Sequence, residues 1–257
     1  MRIPERLTLS AVPGIPLLKS GDDLGGVIIA ATVRARLEVG DGDIFVVAQK
    51  AVSKAQGRAV DLATVKPSAS ALSLAAEVGK DPRLVEVILS ESVRVVRKRP
   101  GLIIVEHRCG WIMANAGVDQ SNVPAEVGAQ TVLLLPKDCD GTAQSLRDAL
   151  MAHFNKRLGV VVNDSFGRPW RRGTVGVALG AAGVPALWDL RGQPDLNHRP
   201  LKVTETGFAD EVAAAASLLM GQADEGRPVV LVSGFAASEA AIAARALIRP
   251  AADDLFR

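Results

Sequence analysis

The sequence predicts a mixed fold of β-strands and α-helices on the basis of three observations. Apolar runs rich in β-branched residues, such as residues 44–48 and 159–162, are typical of buried strands. Apolar residues at helical spacing between positions 67 and 96 predict two helices, interrupted at residues 79–82 by glycine and proline. Several strands lead directly into polar loops, which is where proteins with mixed α and β structure place their sites.

The other elements follow along the chain. Residues 7–12 predict a short strand, and Pro13-Gly14-Ile15-Pro16 then forces a turn that cannot be helical. Residues 20–23 are suited to cap the helix that follows them. Further helices are predicted at residues 24–37, 142–158 and 212–220, and further strands at residues 102–105, 110–113, 132–136 and 228–232.

The composition excludes several classes of function. Lys and Arg number 30 against 28 Asp and Glu, and aromatic residues make up only 4%, so a nucleic-acid or membrane surface is not indicated. Only Cys109 and Cys139 are present, which supports neither a disulfide framework nor a cysteine zinc site. The chain begins without a signal peptide and has no run of about 20 apolar residues. We therefore expect a cytoplasmic protein that is not associated with a membrane.

Residues 159–173 contain the strongest candidate site. A buried strand is expected to stop at Asp164 and Ser165, whose hard oxygen atoms suit Mg²⁺ or Mn²⁺. Arginines at positions 168, 171 and 172 follow and could neutralise phosphate or carboxylate oxygens. Metal-dependent phosphoryl chemistry is one interpretation, and a strand followed by a solvated basic turn is the other.

A second polar loop, residues 114–124, favours the first interpretation. It places Asn115, Asp119, Ser121 and Asn122 close together, with Gly117 allowing a left-handed turn. These residue types also form ordinary turns. Two carboxylate loops, with Asp119 and Asp164, make a shared metal centre more plausible than either loop alone. A third polar loop, residues 220–227, precedes the last strand.

Common nucleotide-binding motifs are absent from the sequence. Residues 49–58 form a Lys/Ser/Gly-rich segment after a strand but contain no G-x-x-x-x-G-K-[ST]. The glycines at positions 173, 176, 180 and 183 do not form G-x-G-x-x-G. Close backbone packing is therefore the predicted use of these glycines.

Several segments together resemble the coenzyme F420-0:L-glutamate ligase family, also called F420 gamma-glutamyl ligases. They are Pro13-Gly14-Ile15-Pro16, residues 50–57, the Ala-Gly-Val-Asp-x-Ser-Asn segment at 116–122, Asp-Ser-Phe-Gly-Arg-x-Trp-Arg at 164–171, and residues 249–256. The resemblance covers essentially the whole chain. It implies an α+β fold of mixed β-sheets with flanking helices, in which residues 1–257 form one unit of two intertwined lobes without a separate C-terminal domain. It also implies a homodimer.

The resemblance further implies a GTP-dependent ligase that joins L-glutamate to the lactyl carboxylate of F420-0 and can add further γ-linked glutamates. The implied metal is Mg²⁺ or Mn²⁺, with K⁺ as an additional candidate. Transfer of the γ-phosphoryl group would turn the carboxylate into an acyl phosphate, which an amine can attack.

By position, the family's functional residues fall into three sets. The metal ligands would be Asp119, Asp164, Ser165 and Gln222. The residues that hold GTP would be Ile15, Pro16, Leu17, Leu18, Gln49, Lys54, Asn122, Met220, Gly221, Gln222, Ala223, Asp224, Glu225, Gly226 and Arg227. The catalytic residues would be Asp119, Asp164, Lys54 and Arg168. Two positions depart from the family pattern, with Ser165 where relatives often have Thr and Gln49 where some have Ser.

Three alternatives remain open at this point. The chain could be a related metal-dependent amide ligase acting on another carboxylate. It could be a deazaflavin-binding or nucleotide-binding module without activity, although mere binding would not require both aspartates. It could also be a metal-dependent phosphohydrolase, which would cleave GTP without an acceptor.

Overall fold

The computed structural model describes residues 4–120, 130–238 and 241–255, and it has the predicted α+β content. Among these residues the largest sheet is mixed, and the three smaller sheets are antiparallel. The helices are α1 (Leu24–Arg34), α2 (Gln49–Ala55), α3 (Ala69–Val78), α4 (Pro82–Ser90), α5 (Cys139–Phe154) and α6 (Phe208–Met220). The strands are β1 (Thr8–Ala11), β2 (Ile44–Ala48), β3 (Ala59–Asp61), β4 (Ser92–Arg99), β5 (Leu102–His107), β6 (Ile112–Ala114), β7 (Thr131–Leu133), β8 (Gly159–Arg168), β9 (Arg171–Ala182), β10 (Trp188–Asp189), β11 (Glu205–Thr206) and β12 (Val229–Ser233). Among these residues, no helix has the length and apolarity needed to cross a membrane.

The largest sheet has five strands in the spatial order β1-β12-β2-β8-β9. β2 and β8 run in parallel, with Ala48 opposite Asn163, and the other neighbouring pairs are antiparallel. Beyond Ala48, β8 continues as a hairpin with β9. The residues that follow β2 therefore lie beside Asp164, at the point where β8 extends past the end of β2.

Helices cover both faces of this sheet because the side chains of its strands alternate between two cores. Val160 and Val162 of β8 face the core that α1 and α5 complete with Ile28 and Leu150. Val161 faces the opposite core, which α6 supplies. Burying each branched side chain contributes about 1.5–3 kcal/mol, so this three-layer arrangement holds β8 and its polar residues 163–165 in a fixed position.

A smaller group of elements lies beside the main sheet. Helices α3 and α4 pack on the three-stranded sheet β4-β5-β6 through a core that includes Val85, Ile88, Ile103 and Val105. The predicted break between the two helices is present, because Gly79 ends α3 in a left-handed conformation (φ 68°) and Asp81 caps α4. Strands β3 and β7 form a two-stranded sheet; β3 precedes this smaller group in the sequence and β7 follows it.

Several element boundaries differ from the sequence predictions. Helix α1 ends at Arg34 rather than at residue 37, and α6 begins at Phe208 rather than at residue 212. The helical pattern was expected to reach residue 96, but residues 92–99 form β4, because the turn at Gly101 (φ 80°) pairs them with β5. Helix α5 was expected at residues 142–158 but begins at Cys139, because the Asp138 side chain caps it by accepting the Gly141 N–H. The helix ends at Phe154, since the next residue, Asn155, has a left-handed conformation. The strand expected to stop at Asp164 continues to Arg168.

The prediction of close backbone packing is confirmed for Gly176, Gly180 and Gly183, but it is wrong for Gly173, where an added Cβ would meet nothing within 4 Å. A Cβ on Gly176 would lie 2.4 Å from the carbonyl oxygen of Ala213 in α6. A Cβ on Gly180 would lie 2.2 Å from the carbonyl oxygen of Cys139 in α5. Helices on both faces of the sheet therefore touch the β9 backbone directly.

Candidate functional site

A cavity of about 570 Å³ opens where β2 ends. Its walls come from the turn after β1, the first half of α2, residues 163–165 of β8, the end of α6 and the loop before β12. The lining residues are Ile15, Pro16, Leu17, Leu18, Ala48, Gln49, Lys50, Ala51, Lys54, Asn163, Asp164, Ser165, Ser217, Met220, Gly221, Gln222, Ala223, Asp224, Glu225, Gly226, Arg227 and Pro228. Pockets of this size hold small molecules, whereas a second cavity of about 40 Å³ beside Arg147 has room for little more than water.

Asp164 is the most perturbed carboxyl group of this cavity. Its pKa is raised to about 6, mainly by burial and also by the nearby charge of Asp119. Hydrogen bonds from the Ser165 backbone N–H and the Gln49 side chain, and the positive charge of Lys50, act in the opposite direction. Asp164 is therefore ionised near neutral pH but incompletely compensated, which is the condition in which a bound cation gains most.

Asp119 reaches this centre from the segment between β6 and β7. Its backbone N–H and carbonyl both pair with Leu133, which fixes the position of the residue. Its side-chain Oδ2 lies 2.6 Å from Nζ of Lys50, which lines the cavity. Asp119 is not itself among the cavity-lining residues, so Lys50 links it to the cavity.

Lys54 contributes a second ammonium group. Burial lowers its pKa, and repulsion from Lys50 lowers it further, whereas Asp119 raises it. The two lysines and two aspartates thus form one coupled group of four charges. Two ammonium groups within one cavity favour an anionic ligand such as a polyphosphate.

The Gln49 side chain is buried, and only 3% of its surface is exposed. Its Oε1 accepts a hydrogen bond of 3.0 Å from the Ser53 hydroxyl, one turn further along α2. The nearby Gln49 side chain also lowers the pKa of Asp164. Gln49 thus lines the cavity from the start of α2 and is held there by a bond within its own helix.

Asn163 and Ser217 form the part of the cavity wall next to α6. Nδ2 of Asn163 donates to Oγ of Ser217 at 3.0 Å and contacts Sδ of Met220 at 3.3 Å. Oδ1 of Asn163 is buried and has no hydrogen-bond partner among the described residues. Sequence reasoning missed both residues and Lys50, although Lys50 adjoins Gln49 and Asn163 adjoins Asp164.

The loop at residues 220–227 closes one side of the cavity. Gly221 has a left-handed φ of 73°, and Oε2 of Glu225 accepts the Ala223 N–H at 2.9 Å. Backbone hydrogen bonds, that from Ala223 first, lower the pKa of Glu225. The Glu225 carboxylate thus stabilises the fold of its own loop.

Comparison with known proteins gives a consistent result. The model of the F420-0:Gamma-glutamyl ligase family matches residues 14–234. The chain belongs to this family. It is 44% identical to the coenzyme F420:L-glutamate ligase of Methanothermobacter thermautotrophicus, over 98% of this chain and 99% of that protein. Proteins with the same name from Methanopyrus kandleri and Methanocaldococcus jannaschii are 44% and 40% identical over 98% and 95% of this chain, and over 98% and 94% of their own lengths.

The structure brings together most of the residues that the family resemblance assigns to the site. Residues 15–18, Gln49, Lys54, Asp164, Ser165 and residues 220–227, including Gln222, all line the one cavity. Arg168 does not: it lies four residues beyond Asp164 on β8, where Nη1 donates to the Gly173 carbonyl at 3.5 Å. Asn122 lies outside the residues that the structure describes.

The donor set is compatible with a Mg²⁺ or Mn²⁺ ion. Asp164 and Ser165 present a carboxylate and a hydroxyl to the cavity, and both are hard oxygen donors. The Lys50 ammonium pairs with Asp119 and lowers the pKa of Asp164, so positive charge is favoured beside these two carboxylates. Among the described residues, no three His, Cys, Asp or Glu side chains converge on one point, so such an ion would rely on substrate oxygens and water for its remaining ligands.

Proposed function

We propose that the protein is a GTP-dependent and divalent-metal-dependent ligase that joins L-glutamate to the lactyl carboxylate of F420-0. The observation that supports this most strongly is the convergence of four distant segments on one cavity that contains Asp164, Ser165, Lys50 and Lys54. The names of the relatives supply the substrate pair, F420 and L-glutamate. The assignment of GTP rests on the family resemblance.

The reaction would proceed in two displacements. First, a carboxylate oxygen of F420-0 attacks the γ-phosphorus of GTP, the bond to the bridging β-γ oxygen breaks, and GDP leaves. The glutamate amine then attacks the acyl carbon, phosphate leaves, the amine loses a proton and an amide remains. Because the carboxylate acquires a good leaving group in the first step, no covalent enzyme intermediate is required.

The cavity residues would stabilise the first displacement electrostatically. Lys50 and Lys54 would face the phosphate oxygens and offset the charge that develops there. Asp119, Asp164, Ser165 and Gln222 would hold the metal ion. When bound, Mg²⁺ or Mn²⁺ supplies Lewis-acid stabilisation of phosphate oxygens, and K⁺ is a further candidate ion.

The walls of the cavity would bind the nucleotide. The turn at residues 15–18 offers apolar surface, and the loop at residues 220–227 offers backbone groups and the charge of Arg227. Arg168 lies outside this cavity, so its proposed catalytic role would be exerted on the acceptor rather than on GTP.

The test is to incubate the protein with F420-0, L-glutamate, GTP and Mn²⁺ or Mg²⁺, and to follow products by mass spectrometry while omitting each component in turn. We expect the mass of F420-0 to increase by one glutamyl residue only when GTP and metal are both present. Acceptor labelled with ¹⁸O in its carboxylate should transfer one ¹⁸O atom to the released phosphate. Cleavage of GTP without modification of F420-0 would instead support a phosphohydrolase.

We also propose that the enzyme adds further γ-linked glutamates and works as a homodimer. A ladder of products in the same assay would demonstrate the repeated addition. For the dimer, β4 is an edge strand whose Val93 side chain is 63% exposed, which provides surface for a second copy. Light scattering coupled to size-exclusion chromatography should give twice the mass of one chain.

A further inference from the structure

The hairpin of β8 and β9 ends in a turn that carries an unusual residue. Pro169 and Trp170 form this turn, between the paired residues Arg168 and Arg171. Trp170 has a φ of 65°, a conformation for which the second position of a turn that begins with Pro usually holds Gly or Asn. Its side chain is also 88% exposed. Trp170 therefore strains the backbone of the turn without gaining the stability that burial would provide.

The arginines beside the turn are also arranged at a cost to stability. Arg168 and Arg171 lie directly opposite each other in the ladder, and like charges at such positions repel. Arg172 follows, and the described residues place no carboxylate within ion-pair distance of any of these three guanidinium groups. By contrast, the guanidinium of Arg191 lies 2.6 Å from Asp189. The hairpin tip, residues 168–172, thus combines an exposed aromatic ring with positive charge that the described part of the chain does not offset.

The hairpin tip continues the strand that carries the proposed metal ligands. Asp164 and Arg168 lie four residues apart on β8, so they share one face of the strand and are about 13 Å apart at the usual rise per residue. Phe166 lies between them on this face and packs against the core that α1 and α5 complete. Arg171 lies opposite Arg168 and shares the same face. With increasing distance from Asp164, the hairpin therefore presents first two arginines and then the ring of Trp170.

A ligand that fits the hairpin tip has a planar ring system and an anionic group between that ring and its reacting end. Planar rings stack on exposed indole groups, and guanidinium groups bind phosphate oxygens. F420-0, the acceptor of the proposed reaction, has these features in the same order, because a phosphodiester joins its lactyl group to a ribityl chain and the deazaflavin ring.

We propose that the hairpin tip binds the acceptor, with Trp170 stacked on the deazaflavin ring and Arg168 and Arg171 holding the phosphodiester. The lactyl carboxylate then extends back along β8 toward Asp164, where the phosphoryl group would be transferred. The stability lost to the strained tryptophan and the opposed arginines is recovered when the ring and the phosphodiester bind. The inference rests on the proposed function, since it takes F420-0 as the acceptor, but its test does not require turnover.

Four variants test this role. Trp170→Gly removes the ring and suits the positive φ, so the protein should remain folded with a nearly unchanged midpoint of unfolding in urea. Trp170→Phe keeps an aromatic face. Arg171→Met removes one guanidinium and keeps an unbranched side chain. Arg191→Met is the matched control, because it removes the same charge from another exposed arginine that Asp189 already compensates.

Affinity for F420-0 would be measured by isothermal titration calorimetry at low and high salt. Each titration is run on the protein alone and again with a non-hydrolysable GTP analogue and Mn²⁺, so that an ordered binding sequence does not hide the interaction. Affinity for the GTP analogue is measured in parallel. Light scattering coupled to size-exclusion chromatography gives the mass of each variant.

We expect Trp170→Gly to weaken F420-0 binding by about 10-fold to 100-fold, as is usual when an aromatic stacking partner is removed, and Trp170→Phe to weaken it much less. Arg171→Met should weaken F420-0 binding by about 10-fold and reduce its dependence on salt, because a charged contact to phosphate is lost. All of these variants should bind the GTP analogue as the wild-type protein does, and Arg191→Met should also bind F420-0 normally.

Unchanged F420-0 affinity in either Trp170→Gly or Arg171→Met would overturn the inference and leave the proposed function intact. A lower mass of Trp170→Gly with unchanged F420-0 affinity would assign the hairpin tip to a contact between two copies of the chain, which also overturns the inference. Absence of F420-0 binding by the wild-type protein under both conditions would overturn the inference and the proposed function together.

Discussion

Proton competition at Asp164 gives a quantitative prediction for metal binding. Burial raises the pKa of Asp164 to about 6, against an ordinary value near 3.8. A metal ion binds the ionised form, so its apparent Kd should increase by a factor of 1 + 10^(pKa − pH) as the pH falls. Between pH 7 and pH 5 this gives a loss of about 10-fold for a pKa of about 6, and almost none for an ordinary aspartate.

The assay is a titration of Mn²⁺ into the metal-free protein at half-unit pH intervals. Two variants should move the midpoint of the pH dependence in opposite directions. Asp119→Asn removes a proposed metal ligand and should weaken binding at every pH. It also removes a negative charge that raises the pKa of Asp164, so the midpoint should become more acidic. Lys50→Met removes a positive charge that lowers this pKa, so the midpoint should become more alkaline.

A wild-type affinity that is the same at pH 7 and pH 5 would refute this reasoning, because Asp164 would then either ionise normally or not bind the metal. A midpoint that moves in the same direction in both variants would show that the coupling to Asp119 and Lys50 is wrong.

Three further perturbations test other parts of the structure. Gly176→Ala should lower the free energy of unfolding in urea by about 1–3 kcal/mol, because its Cβ would lie 2.4 Å from a carbonyl oxygen of α6, whereas Gly167→Ala meets nothing within 4 Å and should be nearly neutral. Lys54→Met should weaken GTP binding by about 10-fold to 100-fold in equilibrium titrations, since it removes a charge-assisted contact to phosphate; equal affinity would place the nucleotide elsewhere. Arg58→Met should destabilise the protein by about 2–3 kcal/mol in the same urea experiment, because it leaves the half-buried Glu91 carboxylate without the guanidinium that lies 2.8 Å from it.

The sequence was sufficient to locate the strands and helices whose side chains are buried regularly. The runs at residues 44–48 and 159–162 form β2 and β8, because burial on both faces demands continuous apolar residues. β4 was missed, since its pattern of exposed and half-buried residues contains no period of two, and its pairing with β5 decides the structure.

Many of the residues that line the cavity could be named from the sequence, but their arrangement could not. Asp119 and Asp164 could be proposed as partners from their polar loops, yet the role of Lys50 between them depends on how α2 is placed against the end of β8. Tertiary pairing of segments that are distant in sequence determines such contacts, and local sequence patterns do not report it.

The position of β12 between β1 and β2 has a consequence for the way the chain is made. β12 is synthesised long after its two neighbours, β1 and β2, and the edges of these strands that face β12 stay unpaired until then. Contacts of such long sequence separation slow folding, because a large loop must close before they form. The early strands are thus the segments most exposed to premature association with other nascent chains, and the main sheet is complete only after β12 has been synthesised.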